Sequence, residues 1–159
     1  MISPEDVWCA LHDVKDPEIP TLSIVDMGII TNVKVENGHI KVSMTPTFVG
    51  CPAIEVMRKD VELRIAEMNP ESVEVEVNLD VPWDTNRITD NGRAALKKFG
   101  LAPPPRYDMV LELEVLERAV CPYCNSNNTE MQTPFGPTLC RSMHYCKDCF
   151  QAFEQFKPV

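Results

Sequence analysis

Glycine is scarce in this chain, with six residues in 159, and no stretch forms the glycine-rich loop that cradles a phosphate or a dinucleotide. The H-E-x-x-H zinc motif and a Ser-His-Asp order are also missing, so the usual apparatus of a self-sufficient enzyme is not here. Apolar runs stay far below the roughly 20 residues that a bilayer-spanning helix needs. The start, Met1-Ile2-Ser3-Pro4-Glu5-Asp6, has no basic segment followed by an apolar one. The expectation is a cytoplasmic protein without a membrane partner. Basic residues are few: 15 Lys and Arg stand against 24 Asp and Glu, a formal charge of −9. Phosphate contacts need clustered cations, so this balance argues against a nucleic-acid partner.

What is present is unevenly spread. Cys9 and Cys51 are the only cysteines in the first 118 residues, whereas five of the seven fall after them. An odd total speaks against a purely disulfide framework. After residue 118 the three basic residues (Arg141, Lys147, Lys157) and three acidic ones (Glu130, Asp148, Glu154) cancel, so the negative charge lies on the earlier part. Pro103-Pro104-Pro105 forbids helix and reads as a short, stiff connector. The expected organisation is a domain over residues 1–104 and a second module over 105–159.

Within the first part, Val7, Ala10, Leu11 and Val14 recur at helical spacing behind Ser3-Pro4, a cap and a first-turn proline. Two alternating strands, Ile29–Val35 and Ile40–Met44, flank Asn37-Gly38, which predicts a type I′ hairpin. Ile54, Met57, Val61, Ile65 and Met68 make one helical stripe that stops at Asn69-Pro70. Val73, Val75, Val77 and Leu79 then alternate as a strand. A last helix over residues 91–99, capped by Thr89 or Asp90, completes an α-β-β-α-β-α order. The predicted fold class is α+β: a small helix-on-sheet sandwich followed by a four-cysteine zinc-ribbon-like module. Met109, Leu111, Leu113 and Val115 predict a further strand leading into the cysteines.

Cys121-x-x-Cys124 and Cys146-x-x-Cys149 are two knuckles separated by 21 residues. Two-residue spacing lets both sulfurs of a knuckle face one ion, and two knuckles supply a tetrahedral four-thiolate set for zinc, or for a rubredoxin-like iron. A module of about forty residues buries too little apolar surface to fold alone, so the ion would stand in for a core. Cys140 and His144, just before the second knuckle, are candidates for an extra ligand or a supporting contact to the site. A dithiol redox couple is a weaker reading, because the usual βαβ context is missing. Three basic residues do not make a phosphate track, which leaves protein contact as the better use of the ribbon. Phe150, Phe153 and Phe156 are expected to pack over it or to dock it to a neighbour.

Gly50-Cys51-Pro52 joins the hairpin to the long helix and predicts Cys51 at the N-cap. Free backbone N–H groups and the positive helix end there favour a thiolate, hence a nucleophile or soft-metal ligand. The alternative is a cysteine that fills a turn as a small apolar residue. Asp16, Glu18 and Asp26 would add oxygen ligands if the fold brings them near. Cys9 reads as core, and His12 and His39 as solvated or hydrogen-bonded side chains without a role.

Asp16-Pro17-Glu18-Ile19-Pro20, Asp26-Met27-Gly28-Ile29-Ile30, Thr45-Pro46, Gly50-Cys51-Pro52 and Val81-Pro82-Trp83-Asp84 follow one another in an order that resembles the SufT-like iron–sulfur assembly family. With both knuckles, Phe135-Gly136, Cys140 and Phe153-Glu154-Gln155-Phe156, the whole chain resembles the small accessory subunits of bacterial phenylacetyl-CoA epoxidase systems. The resemblance implies a non-catalytic part in aerobic phenylacetate breakdown. Its client would be a metal centre of the epoxidase or of its flavin and iron–sulfur reductase, and its partners those proteins and the iron–sulfur assembly machinery. It also implies Cys51 as the cluster-handling thiol, holding iron or a cluster transiently, with Asp16, Glu18 and Asp26 as motif neighbours. An adaptor that stays bound to the epoxidase without metal transfer is the alternative. Thr47-Phe48-Val49 lengthens the approach to Cys51 relative to simpler relatives. A sheet edge leaves a homo-oligomer open.

Overall fold

The computed structural model describes residues 1–107, 114 and 117–159. They form two compact units: Met1–Trp83 with Arg87–Thr89, and Asp84–Asn86 with Asp90–Val159. Met109, Leu111, Leu113 and Val115 of the expected strand lie outside the described residues; Glu114 between them is helical rather than extended, its carbonyl accepting from the Arg118 N–H at 3.2 Å.

In the first unit, α1 (Pro4–Leu11) starts at Ser3, whose Oγ accepts from the Asp6 N–H while the Asp6 carboxylate accepts from the Ser3 N–H. This reciprocal capping box satisfies two donors that a helix start leaves open. Strands β1 (Ile30–Glu36) and β2 (His39–Met44) pair antiparallel across Asn37 and Gly38, both at positive φ (50° and 81°) as the type I′ turn requires. Helix α2 (Ala53–Ala66) then carries the chain back, so that β3 (Ser72–Val77) pairs parallel to β2 and the sheet order is β1-β2-β3. The two helices pack on each other, α1 against β1 and α2 against β3. Val7 and Leu11 of α1, Met57, Val61 and Ile65 of α2, and Ile40, Val42 and Met44 of β2 are all buried. Each such side chain contributes about 1.5–3 kcal/mol by leaving water.

Three details differ from the sequence expectation. Strand β3 ends at Val77 rather than Leu79, because its partner β2 ends at Met44, the residue that pairs with Val77. Leu79 is left 60% exposed. Cys9 is exposed on α1 rather than core, since the buried stripe runs through Val7, Ala10 and Leu11. The N-cap of α2 is Pro52, already helical at φ −69° and ψ −23°, so Cys51 stands one residue before the cap.

A strap closes this unit. The Trp83 indole N–H donates to the Met27 carbonyl at 2.8 Å, the Arg87 Nε–H to the Gly28 carbonyl at 2.9 Å, and the Thr89 hydroxyl to Asp26 at 2.7 Å. Gly28 sits at φ +76°, and a Cβ there would lie 2.6 Å from the Arg87 Cβ and 2.7 Å from its carbonyl oxygen. The close approach therefore needs glycine.

The second unit contains a 3₁₀ turn (Thr85–Arg87, shared with the first unit at Arg87), α3 (Asp90–Phe99), β4 (Leu101–Ala102), β5 (Thr129–Thr133), β6 (Arg141–Cys146) and β7 (Ala152–Phe156). The sheet order is β4-β7-β6-β5, with β4 parallel to β7 and the other pairs antiparallel. Helix α3 packs on β4, so the last helix of the predicted order groups with the ribbon. Ala102, Ala119, Cys121, Cys146 and Phe153 make the small core, with Cys149 against it. The aromatic tail divides: Phe153 and Phe156 are buried at 3% and 1%, while Phe150 is 73% exposed.

No helix among the described residues is long and apolar enough to cross a membrane.

Candidate metal centre

Each knuckle is a turn closed by its own backbone. In the first, the Asn125 N–H donates to the Cys121 carbonyl at 2.9 Å, and Asn125 is left-handed at φ 62°. In the second, the residue after the last cysteine, Phe150, is left-handed at φ 59°. A single residue in this conformation reverses the chain so that both sulfurs of a pair point the same way. Asp148 ties the knuckles together, accepting from the Ser126 hydroxyl and, at 2.7 Å, from the Asn128 amide. The Lys147 N–H adds a bond to the Asn128 carbonyl at 2.9 Å.

These turns bring the sulfurs of Cys121, Cys124, Cys146 and Cys149 within 4.8 Å of one another. Cys121 Sγ lies 3.6 Å from Cys149 Sγ, and Cys124 Sγ lies 3.5 Å from Cys146 Sγ. A tetrahedron with metal–sulfur bonds of about 2.3 Å has edges of about 3.8 Å, so the four sulfurs stand close to the geometry that a four-thiolate ion imposes. The donor set suits zinc or iron and leaves no open position.

Electrostatics agree. Backbone N–H groups of Cys149 and Asp148 stabilise the Cys146 thiolate and bring its pKa down to about 7. Burial and the neighbouring sulfurs push Cys149 up to about 12. Four thiols this close cannot all ionise alone, and a divalent cation is what permits it.

Cys140 and His144 do not join the set. Cys140 precedes β6 and Cys146 ends it, roughly 20 Å apart at about 3.3 Å per residue. The Cys140 sulfur lies 3.1 Å from the Thr138 hydroxyl instead. His144 is fully buried: its Nε2 is 2.8 Å from the Ser142 hydroxyl and its ring stacks on Phe153 at 5.5 Å. Burial lowers its pKa, as expected of a neutral core histidine.

The candidate residues of the first unit are placed separately. Asp16 is buried, and its Oδ1 accepts from the N–H groups of Glu18 (2.7 Å) and Ile19 (3.0 Å), which fixes the Pro17–Pro20 turn. Glu18 is exposed. Asp26 accepts from Thr89 and lies 3.7 Å from His12 Nδ1. Cys51 is half-buried, and its carbonyl accepts from the Ile54 N–H in the first turn of α2. Among the described residues, no three of Asp16, Glu18, Asp26 and Cys51 form a group that could hold a metal ion. The Ser126–Asn128–Asp148 bracket was not anticipated, because its partners are 20 or more residues apart and the sequence carries no signal for the pairing.

Comparison with known proteins agrees with both units. Residues 4–77 match the family described as iron-sulfur cluster assembly protein, and residues 108–157 match the PaaD zinc beta ribbon domain. Fold and site thus define a two-part protein: an iron–sulfur cluster assembly domain followed by a zinc β-ribbon with its metal-binding cysteines. The chain is 32% identical over 154 residues, 97% of its own length and 92% of the relative's, to a protein of Escherichia coli strain K12 named as a component of 1,2-phenylacetyl-CoA epoxidase. It belongs to the PaaD family. It is also 30% identical over 94 residues, 58% of this chain and 89% of the relative, to a protein of Porphyromonas gingivalis named Fe-S protein maturation auxiliary factor. Among solved structures it resembles a domain of unknown function from Bacillus anthracis, at TM-score 0.55 and 28% identity, covering 58% of this chain and 90% of that one.

Proposed function

We propose that this protein is a non-catalytic maturation factor, which assists assembly of a metal or iron–sulfur centre in a phenylacetyl-CoA epoxidase or its reductase. The observation that carries the reading is similarity along nearly the whole chain to a protein named as an epoxidase component, with an assembly domain of the kind found in named Fe–S maturation factors.

In this reading the ribbon holds one zinc permanently, on Cys121, Cys124, Cys146 and Cys149, and the ion secures the fold. Cys51 handles the cargo, iron or a cluster bound transiently, because it is half-buried at the start of a helix and outside the zinc set. Asp16 and Asp26 hold their own loops rather than serve as ligands: Asp16 accepts from the Glu18 and Ile19 N–H groups and Asp26 from the Thr89 hydroxyl. Glu18, exposed in the turn that Asp16 fixes, is the carboxylate left to meet the cargo or the client.

The adaptor reading, in which no metal is passed, draws on the first unit's lacking, among the described residues, any group of three side chains placed to hold a metal ion. One experiment separates the two: zinc, iron and acid-labile sulfide per chain, and iron in the client after incubation with iron and sulfide, for the parent and Cys51→Ser. Retained zinc with a several-fold loss of client iron in Cys51→Ser is the expected result. Client loading by Cys51→Ser at the parental rate would sink the transfer role and leave the adaptor.

A further inference from the structure

A groove of about 520 Å³ runs between the C-terminal half of α2 and the loop that follows α1, wholly within the first unit. That volume falls in the range of roughly 300–1,000 Å³ over which proteins seat organic groups. Leu63 lines it from α2 and stands 66% exposed, turned away from the buried Met57, Val61 and Ile65 of the same helix. Val14, Pro17 and Pro20 line it from the loop, both prolines exposed. An amphipathic helix keeps its leucines on the core side, so a bare one facing two bare prolines marks a contact surface.

Both sides of the groove are fixed before anything binds. In the loop the Asp16 N–H donates to the Leu22 carbonyl and the Leu22 N–H to the Ile19 carbonyl, each at 2.9 Å. Arg64 ties α2 to the loop, its guanidinium 2.9 Å from Asp13 and 3.0 Å from Glu67. These tethers and the two prolines have already removed freedom that a binding surface would otherwise lose on contact. The groove is also negative. Asp13, Asp16, Asp60 and Glu67 line it against Lys15 and Arg64, and both cations are engaged, Arg64 between two carboxylates and Lys15 on the His12 carbonyl at 2.8 Å. Asp60 is exposed and has no ion pair among the described residues. The C-terminal end of α2 adds the negative pole of the helix. Around it the first unit carries 15 acidic and seven basic side chains, net −8.

We propose that this groove binds a basic segment of a partner protein, seating one apolar side chain against Leu63, Pro17 and Pro20 and its flanking lysines or arginines on Asp60 and the neighbouring carboxylates. Charge complementarity selects the occupant. The field of the first unit draws a cationic segment in and orients it, and the groove has no free cation of its own to oppose it. The apolar lining adds the second requirement, since a bare cation would leave Leu63 and the prolines uncovered. Exposed ion pairs contribute little each, so the apolar side chain carries most of the affinity and the charges carry the selectivity. A second copy of the chain brings its own −9 against the same field. The inference stands apart from the maturation reading and holds whether or not metal is passed.

The test titrates the full, zinc-loaded chain with a capped Lys-Lys-Leu-Lys-Lys peptide and follows backbone amide shifts by NMR. The shifts should centre on residues 13–20 and 60–67. Lys-Lys-Ser-Lys-Lys, which keeps the charge and drops the apolar side chain, should bind at least about fivefold more weakly, and Glu-Glu-Leu-Glu-Glu should not bind. Leu63→Ser should lose the same factor toward the leucine peptide and nothing toward the serine peptide. Its spectrum outside the groove should match the parent, because the exposed Leu63 side chain is no part of the core. Asp60→Lys should weaken both lysine peptides, more at low salt than at high. Equal binding of the leucine and serine peptides would reduce the effect to bulk charge and overturn the proposal. So would a Leu63→Ser chain that binds as the parent does, or shifts centred elsewhere on the chain. Full displacement of the peptide by equimolar spermidine would make the groove a polyamine site and overturn it as well.

Discussion

Replacing Phe153 by alanine should cost the ribbon most of its hold on zinc, although Phe153 touches no metal. The ring is 3% exposed, stacks on His144, and packs with Ala102, Ala119, Cys121 and Cys146 in a core of very few members. Truncating a buried phenylalanine costs about 3–5 kcal/mol. A ribbon of this size has little stability to spare without its ion, so folding and metal binding are one equilibrium. The lost packing then appears in the metal affinity, at about 1.4 kcal/mol per factor of ten, as a weakening of roughly one hundred- to several thousand-fold. Competition against a zinc-chelating dye at fixed pH measures it. Phe150→Ala is the control: its ring is 73% exposed and the backbone stays left-handed, so its zinc affinity should stay within a fewfold of the parent. A Phe153→Ala protein that holds zinc as tightly as the parent would refute the reasoning, because it would mean that the ribbon folds before it binds.

Two further outcomes follow from the same structure. Gly28→Ala forces a β-carbon into the Arg87 backbone and a side chain into left-handed space, and should destabilise the first unit by about 2–4 kcal/mol, read as a lower thermal midpoint. Acidification should release zinc and unfold the ribbon at one midpoint. Each bound thiolate regains a proton when the ion leaves, so affinity falls as pH drops, and the fall continues below the ordinary thiol range. Zinc release and circular dichroism that separate along the pH axis would break this linkage.

How much of this was legible depended on the range of the interaction. The Ser3 cap, the Asn37-Gly38 turn and the stripe of α2 are local, so periodicity and turn chemistry reach them directly. The two knuckles were legible for the same reason, since each pair spans four residues and only one arrangement of four sulfurs satisfies one ion. Contacts between distant segments were not. The aromatic tail looked uniform, yet alternation in β7 buries Phe153, the reversal at Phe150 turns that ring outward, and Phe156 returns to the interior. Cys9 failed as a core residue because the apolar stripe of α1 leaves its position to solvent. Cys140 and His144 looked like ligands by their nearness in sequence to Cys146. An extended strand carries the first far from the ion, and a hydroxyl and a phenylalanine occupy the second.

In the proposed function the two kinds of thiol do two kinds of work, separated by coordination rather than by burial. Cys121 and Cys146 are fully buried, Cys149 is half-buried and Cys124 exposed, and the four thiols together supply all four positions of a tetrahedral set. An ion there has no vacant site at which an acceptor could begin to exchange ligands, so it suits a permanent structural role. A thiol that passes metal onward must be reached by an incoming ligand before it lets go. Cys51, half-buried between a loop and the first turn of α2, meets that condition. The proposed division is then a matter of coordination chemistry: the closed set holds its metal, and the accessible thiol gives its metal up.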